Sequence, residues 1–296
     1  MTEIIATLAD LGPRYDAVFC DLWGCLHNGQ TAFPAAVAAL QAFRAGGGRV
    51  VLLTNAPRPA SAVTRQLDTL GVPCDAWDLV VTSGDATQSA MLTGAVGRKL
   101  YFIGAPKDEP FFTDFAPDLA AFAATQDPII RVGMDEAEGI ICTGLVDDLT
   151  ETPDDYRAIL LQCANNRLPM LCANPDIIVD YGDRRIYCAG ALAAAYEKLG
   201  GTVYYFGKPH PPIYDLARRR LSGLIHGKEP SILAIGDGII TDISGGTGEG
   251  IDTLFVSGGI AVEEFGPDPE TPDPRLLDHW LSRQAQSPTF AIGKLR

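Results

Sequence analysis

The chain has 296 residues, 47% of them hydrophobic and 20% charged, with a formal net charge of −14. That length suits one large domain or two ordinary ones with a substantial core, and the acidic balance argues against a nucleic-acid partner, whose phosphates it would repel. No apolar run approaches the ~20 residues that cross a bilayer, so no membrane partner is expected. Residues 1–16 lack the basic and apolar segments of a secretory leader. Seven cysteines without a Cys-x-x-Cys pair read as buried reduced thiols of a cytoplasmic protein, not as disulfides or a zinc site.

Residues 1–15 read as a short helix and a turn at Gly12-Pro13. Residues 17–20 form an unbroken apolar run, the pattern of a strand buried on both faces, and Asp21 follows at its carboxyl end. Residues 33–45 carry apolar positions at helical spacing up to a stop at Gly46-Gly47-Gly48. A second strand over 49–54 ends in Thr54-Asn55. A helix over 61–70, a strand over 79–81 and a helix over 85–93 follow. This alternation predicts a parallel α/β sheet with right-handed crossovers.

The rhythm then loosens. Strands are predicted over 99–103, 139–143 and 169–173, an irregular acidic and aromatic stretch over 107–128, and helices from Thr152-Pro153 to about residue 165 and over 190–199. Residues 98–202 are expected to form a smaller α/β domain inserted into a core domain made of 1–97 and 203–296. From Val203 the first pattern resumes. A strand over 203–206 ends in Gly207-Lys208-Pro209, and a helix covers 212–221. A strand over 231–235 ends in Gly236-Asp237-Gly238, and Thr241-Asp242-Ile243 follows. A strand over 253–256, an acidic proline-rich loop over 264–275 and a helix over 276–283 complete the chain.

Ligands of an open parallel sheet bind just beyond the carboxyl ends of its strands. Asp21, Thr54-Asn55, Lys208, and Asp237 with Asp242 all lie at or near such ends. Each alone has a plain explanation as a turn, cap or solvated residue. Together they mean more, because two or three carboxylates at one edge repel unless a cation sits among them. Oxygen ligands without histidine suit Mg2+. A threonine or asparagine, a lysine and a metal ion around a carboxylate make a phosphoryl-transfer site, where lysine and metal neutralise phosphoryl oxygens while the carboxylate attacks phosphorus.

On these residues the chain resembles the haloacid dehalogenase (HAD) phosphohydrolase superfamily, subclass IIA, the NagD-like group. Asp21-Leu22-Trp23-Gly24-Cys25-Leu26 aligns with the family's Asp-x-Asp-Gly-x-Leu. Leu53-Thr54-Asn55, Gly207-Lys208-Pro209 and Gly236-Asp237-x-x-x-Thr241-Asp242-Ile243 match the other three motifs. Val81-Thr82-Ser83, Ala173-Asn174-Pro175-Asp176 and Cys188-Ala189-Gly190-Ala191-Leu192 also match. The resemblance implies a three-layer Rossmann-like HAD core with a parallel sheet, plus an inserted α/β cap of the C2 type. It implies a small phosphorylated substrate of sugar phosphate, nucleotide, or aryl or acyl phosphate type, and a homodimer through the cap. It makes Asp21 the nucleophile and gives the phosphoryl oxygens to Thr54, Asn55 and Lys208. Mg2+ goes to Asp21, the backbone carbonyl of Trp23, Asp237 and Asp242. Arg58, Asn174, Arg184 and Tyr187 are candidate substrate contacts from the cap or rim.

One position departs from the pattern: phosphatases of the superfamily carry a second Asp, the general acid and base, where this chain has Trp23. An indole N–H exchanges no proton at neutral pH, and general acid–base catalysis is worth ~10²–10⁴ in rate. The leaving group then needs no proton, or another group supplies it, with His27, His210 and cap residues as candidates, or the protein binds a phosphorylated ligand with weak or no turnover. His27 and His210 are themselves expected on the solvated surface.

Overall fold

The apolar runs become the middle of a parallel sheet. In the computed structural model, which describes residues 2–182, 184–227 and 229–296, seven strands lie side by side. From one edge these are β1 (Glu3–Ile4), β14 (Phe290–Ile292), β13 (Asp252–Val256), β12 (Ile232–Gly236), β2 (Ala17–Cys20), β3 (Arg49–Thr54) and β4 (Leu79–Thr82). All the pairings are parallel. Side chains alternate across a strand, so both faces of an all-apolar strand must be covered. Val18 and Cys20 pack with Leu40 and Phe43 of α1 (Pro34–Ala45) and with Val63 and Leu67 of α2 (Ala60–Thr69). Ala17 and Phe19 face the other way, onto Ala86 of α3 (Ser83–Leu92) and onto Ile213, Leu216 and Ala217 of α7 (Pro211–Leu221). At the β14 side, Phe255 and Ala291 meet Leu277, Trp280 and Leu281 of α9 (Pro274–Gln284). The result is a three-layer α/β core.

A second, five-stranded parallel sheet has the order β11 (Val203–Tyr205), β8 (Met170–Cys172), β7 (Gly139–Cys142), β5 (Lys99–Ile103), β6 (Ile130–Arg131). One face packs on α5 (Arg157–Asn165) and α6 (Ala189–Lys198) through Leu160, Cys163, Leu192 and Tyr196. The other face meets Leu119 of α4 (Pro117–Ala123), and also Met91 and Leu92 of α3. α3 therefore touches both sheets. An antiparallel hairpin of β9 (Ile178–Tyr181) and β10 (Arg184–Tyr187) projects from the smaller sheet's end of the chain. No described helix is long and apolar enough to cross a membrane.

Three expectations need correcting. Residues 203–205 pair with β8, so this strand belongs to the smaller sheet and not to the larger one. A short buried strand carries no mark of the sheet it joins, and the return to the larger sheet comes only after Lys208. Residues 3–4 are an edge strand instead of helix, because their backbone groups are satisfied by the β14 ladder. Residues 117–123 form a helix within the stretch read as irregular.

The two sheets are also tied by charge. Arg220 of α7 donates from Nη1 to Asp85 Oδ2 at 2.5 Å and from Nη2 to Asp118 Oδ1 of α4 at 2.9 Å. Asp85 is completely buried, and its other oxygen accepts the Ala60 N–H. Removing one partner of a buried pair leaves an uncompensated charge. Arg220→Ala is therefore expected to destabilise the fold by about 3–5 kcal/mol, read from urea unfolding. A loss of under ~1 kcal/mol would show that the pair is not held as described.

Candidate active site

The carboxyl ends of β2, β3 and β12 bring the predicted residues together. Asp21 and Asp237 follow β2 and β12 directly, and Thr54 is the last residue of β3. Asp242 sits in a π-helical turn over Ile239–Ile243, continued by the short helix α8 (Ser244–Gly248). Lys208 lies just beyond β11, before a cis peptide bond to Pro209, and is only 3% exposed. Its ammonium donates to Asp21 Oδ1 at 2.7 Å and to Asp242 Oδ1 at 2.5 Å. Asp242 Oδ2 accepts the Gly238 N–H at 3.0 Å, and Asp237 Oδ2 accepts the Ile260 N–H at 2.8 Å.

The electrostatics are unbalanced. Burial pushes the Asp21, Asp237 and Asp242 carboxyls up, Asp237 well above the usual range and Asp242 to about 6, and the Asp21 charge adds to the rise of both Asp237 and Asp242. Lys208 pulls the other way and is itself held firmly protonated by Asp21 and Asp242. Three carboxylates against one ammonium leave a formal surplus of two negative charges, the charge of one divalent cation. Asp21, Asp237 and the Cys25 thiol offer ligand atoms within 4.8 Å of one another. Cys25 is buried with its thiol pushed well up, so it stays protonated, and a hard cation prefers oxygen. The donors therefore fit Mg2+ through Asp21 and Asp237, with Cys25 as a wall. Asp242 is outside that trio and anchors Lys208.

Backbone shape makes room for this crowding. Gly24 has φ +76°, and a Cβ there would lie 1.9 Å from Asp237 Oδ2. The Leu22–His27 loop is closed by Gly24 N–H to His27 O at 2.9 Å and His27 N–H to Leu22 O at 3.0 Å.

Above Asp21 opens a cleft of about 510 Å3 walled by core residues Trp23, Thr54, Asn55 and Arg58 and, opposite, by Lys107, Asp108, Thr143, Asn174, Asp176 and Tyr187. Thr54 Oγ1 accepts the Ala56 N–H at 3.2 Å, which leaves its hydroxyl hydrogen available to a ligand. Asn55 has a different task from the one expected. Its Nδ2 donates to Asp176 Oδ1 at 2.8 Å and to the Lys208 carbonyl at 3.1 Å, and its Oδ1 accepts the Lys208 N–H at 2.7 Å. Both amide hydrogens are occupied, so this side chain positions Lys208 and Asp176. Arg58 lines the cleft but is tethered to Gln66 at 2.8 Å. Asn174 accepts the Asp176 N–H at 3.0 Å. Arg184 lies outside the cleft lining, bonded to the Leu149 carbonyl at 3.0 Å.

His27 is not a solvated surface residue, and His210 is half-buried. His27 is 1% exposed, with its Nδ1 accepting the Gly29 N–H at 3.0 Å, and burial lowers it to about 4. His210 stacks on Tyr205 with ring centroids 5.1 Å apart. Trp23 reaches from the core loop to the hairpin, edge-on to His27 at 5.2 Å and tilted against Tyr181 at 6.2 Å. Lys107, Asp108 and Thr143 carry no sequence signal. Asp108 is buried and accepts the Thr143 hydroxyl at 3.0 Å, and Lys107 pairs with Asp148 at 2.6 Å.

The chain is similar to known proteins. A family model described as haloacid dehalogenase-like hydrolase matches residues 18–115, and a HAD-hydrolase-like model matches residues 205–280. A solved hydrolase of the haloacid dehalogenase-like family from Brucella suis 1330 is 40% identical, covers 99% of this chain and 100% of its own, and superposes with a TM-score of 0.84. This chain belongs to the haloacid dehalogenase-like hydrolase family. Its curated relatives in the family include ribonucleotide monophosphatase NagD of Escherichia coli K12, 26% identical over 82% of this chain and 88% of that protein. D-glycerol 3-phosphate phosphatase of Mycobacterium tuberculosis is 24% identical over 86% of this chain and 66% of its own length.

A methyl group at position 24 would meet both a strained φ and the Asp237 carboxylate. Gly24→Ala is expected to lower turnover by ~10²-fold, the scale of a 1 Å misplacement, in a hydrolysis assay with an unaltered circular dichroism spectrum. Unchanged turnover would show that Asp237 does not depend on that approach.

Proposed function

We propose that the chain is a NagD-like, subclass IIA, Mg2+-dependent phosphohydrolase acting on a small phosphorylated metabolite of sugar phosphate, nucleotide, or aryl or acyl phosphate type. The observation that carries this reading is the Asp21 carboxylate, bonded at 2.7 Å to the buried Lys208 ammonium and lining a cleft beside the Thr54 hydroxyl. The names of the two curated relatives, a nucleotide phosphatase and a glycerol phosphate phosphatase, support the substrate class.

An Asp21 oxygen attacks phosphorus, forming an aspartyl-phosphate as the bond to the leaving oxygen breaks. Lys208 uses two N–H groups on Asp21 and Asp242, and its third is left for a phosphoryl oxygen, with the Thr54 hydroxyl opposite. Asp21, Asp237 and the Trp23 carbonyl would hold Mg2+, which supplies positive charge for the phosphoryl oxygens when bound. Asp242 fixes the Lys208 ammonium. Water then attacks phosphorus, the bond to Asp21 breaks, and phosphate leaves. Residues 98–202, extended by β11, serve as the cap that shields this exchange and selects the leaving group. A binding protein without turnover is the reading that Trp23 favours, and hydrolysis of an aryl phosphate with and without Mg2+ separates the two.

Asp21→Asn removes the nucleophile while keeping the shape. Turnover of an aryl phosphate is expected to fall by ~10³-fold or more, with melting little changed. Turnover near that of the unaltered protein would rule out the covalent route. Chelation by EDTA is expected to abolish activity and added Mg2+ to restore it. Full activity in excess EDTA would rule out the metal.

A further inference from the structure

The aspartyl-phosphate route needs a proton delivered to the leaving oxygen and one removed from the attacking water, and Trp23 can do neither. The two histidines are turned elsewhere: neither lines the cleft, His27 Nδ1 is engaged by Gly29, and His210 stacks on Tyr205. Beside the cleft is a smaller pocket of about 210 Å3 that holds Lys208, Asp237 and Asp242. Among the described residues, the carboxylates bordering both spaces are Asp21 and Asp176.

Asp176 is firmly placed. It follows β8 in the Asn174-Pro175-Asp176 turn, with its N–H on Asn174 Oδ1 at 3.0 Å and its carbonyl accepting the Gly190 N–H at 3.1 Å. The turn presses against the core so closely that a Cβ on Gly207 would lie 2.6 Å from Pro175 Cδ and 2.5 Å from Asn55 Oδ1. Asp176 Oδ1 accepts from Asn55, whose neighbour is Thr54 and whose own oxygen holds the Lys208 amide. Its Oδ2 takes no hydrogen bond among the described residues and is free for a ligand.

We propose that Asp176, reaching in from the smaller sheet, is the proton donor and acceptor of this active site, in place of the carboxyl that position 23 lacks. This rests on the phosphohydrolase reading above. In the first step the bond from Asp21 to phosphorus forms, the bond to the leaving oxygen breaks, and that oxygen takes the proton of the Asp176 carboxyl, leaving as the alcohol. In the second step the Asp176 carboxylate takes a proton from water as its oxygen bonds to phosphorus. The bond to Asp21 then breaks, phosphate departs, and both carboxyl groups return to their starting states. The surroundings suit that traffic. Burial raises Asp176 to about 6, with Asp242 adding to the rise and Asn55 and Lys208 opposing it. Asp21 and the protonated thiols of Cys172 and Cys188 also face it.

The test is Asp176→Asn, which keeps an oxygen for Asn55, assayed with an alkyl phosphate and with 4-nitrophenyl phosphate, whose leaving group needs no proton. The unaltered protein is expected to turn over both. The variant is expected to lose alkyl turnover by ~10²–10⁴-fold and, with it, the alkaline limb of the pH profile that deprotonation of the acid produces. With the aryl ester it is expected to give a rapid burst of nitrophenolate, one per folded molecule, followed by slow release of phosphate. The burst amplitude counts competent molecules, so misfolding does not imitate this result. Alkyl turnover within about twofold of the unaltered protein, or an equal loss of burst rate and alkyl turnover, overturns the role of Asp176. No turnover of either ester by the unaltered protein overturns the phosphohydrolase reading instead.

Discussion

Three buried carboxylates at one sheet edge, with a single ammonium among them, set the terms for the rest of the structure. Lys208 reaches Asp21 and Asp242 but leaves Asp237 to a lone backbone N–H. Such a cluster persists only where the scaffold holds each oxygen in place. The β2, β3 and β12 ladder does so from below. Glycines at 24 and 236 make room for the carboxyls, since a Cβ would lie 1.9 Å from Asp237 Oδ2 at the first and 2.0 Å from Asp242 Cγ at the second. The remaining negative charge is what a divalent cation would neutralise.

Asn55 links this cluster to the smaller sheet. One amide group binds both ends of the Lys208 peptide and the Asp176 carboxylate, so the lysine that faces phosphate and the acid that faces the leaving group share one support. Trp23 strengthens the same junction from the other side. Its ring spans from His27 to Tyr181, and Gly29 has no side chain where a Cβ would meet that ring at 2.4 Å. The indole thus makes a packed contact between hairpin and core. The proton traffic moves to the opposite wall of the cleft.

Much of this was legible in the chain itself. Apolar runs over 17–20, 50–53 and 232–235 admit little besides strands covered on both faces, and the polar residues that end them must share an edge. The sheet that residues 203–205 join is not legible in the sequence, because three apolar residues fit either sheet and only the pairing with Met170–Cys172 decides. The hairpin over 178–187 was missed because Asp180, Arg184 and Arg185 interrupt any apolar run. His27 looks solvated because polar Asn28, Gln30 and Thr31 follow it, yet the loop folds back and buries it. Asp176 stands within the Ala173-Asn174-Pro175-Asp176 motif, but its oxygen meets Asn55 across 121 residues of sequence, a distance no local pattern reports. Lys107, Asp108 and Thr143 meet only when the smaller sheet brings β5 and β7 side by side.

The most direct measurement is to locate the phosphoryl group during turnover. The protein is mixed with an aryl phosphate and Mg2+, quenched in acid within the steady state, digested, and its peptides are weighed by mass spectrometry. A phosphoryl adduct confined to the peptide containing Asp21, and lost on alkaline treatment as an acyl phosphate is, is the expected result. Turnover with no adduct on that peptide, or with an adduct on another residue, would contradict the central role given to Asp21.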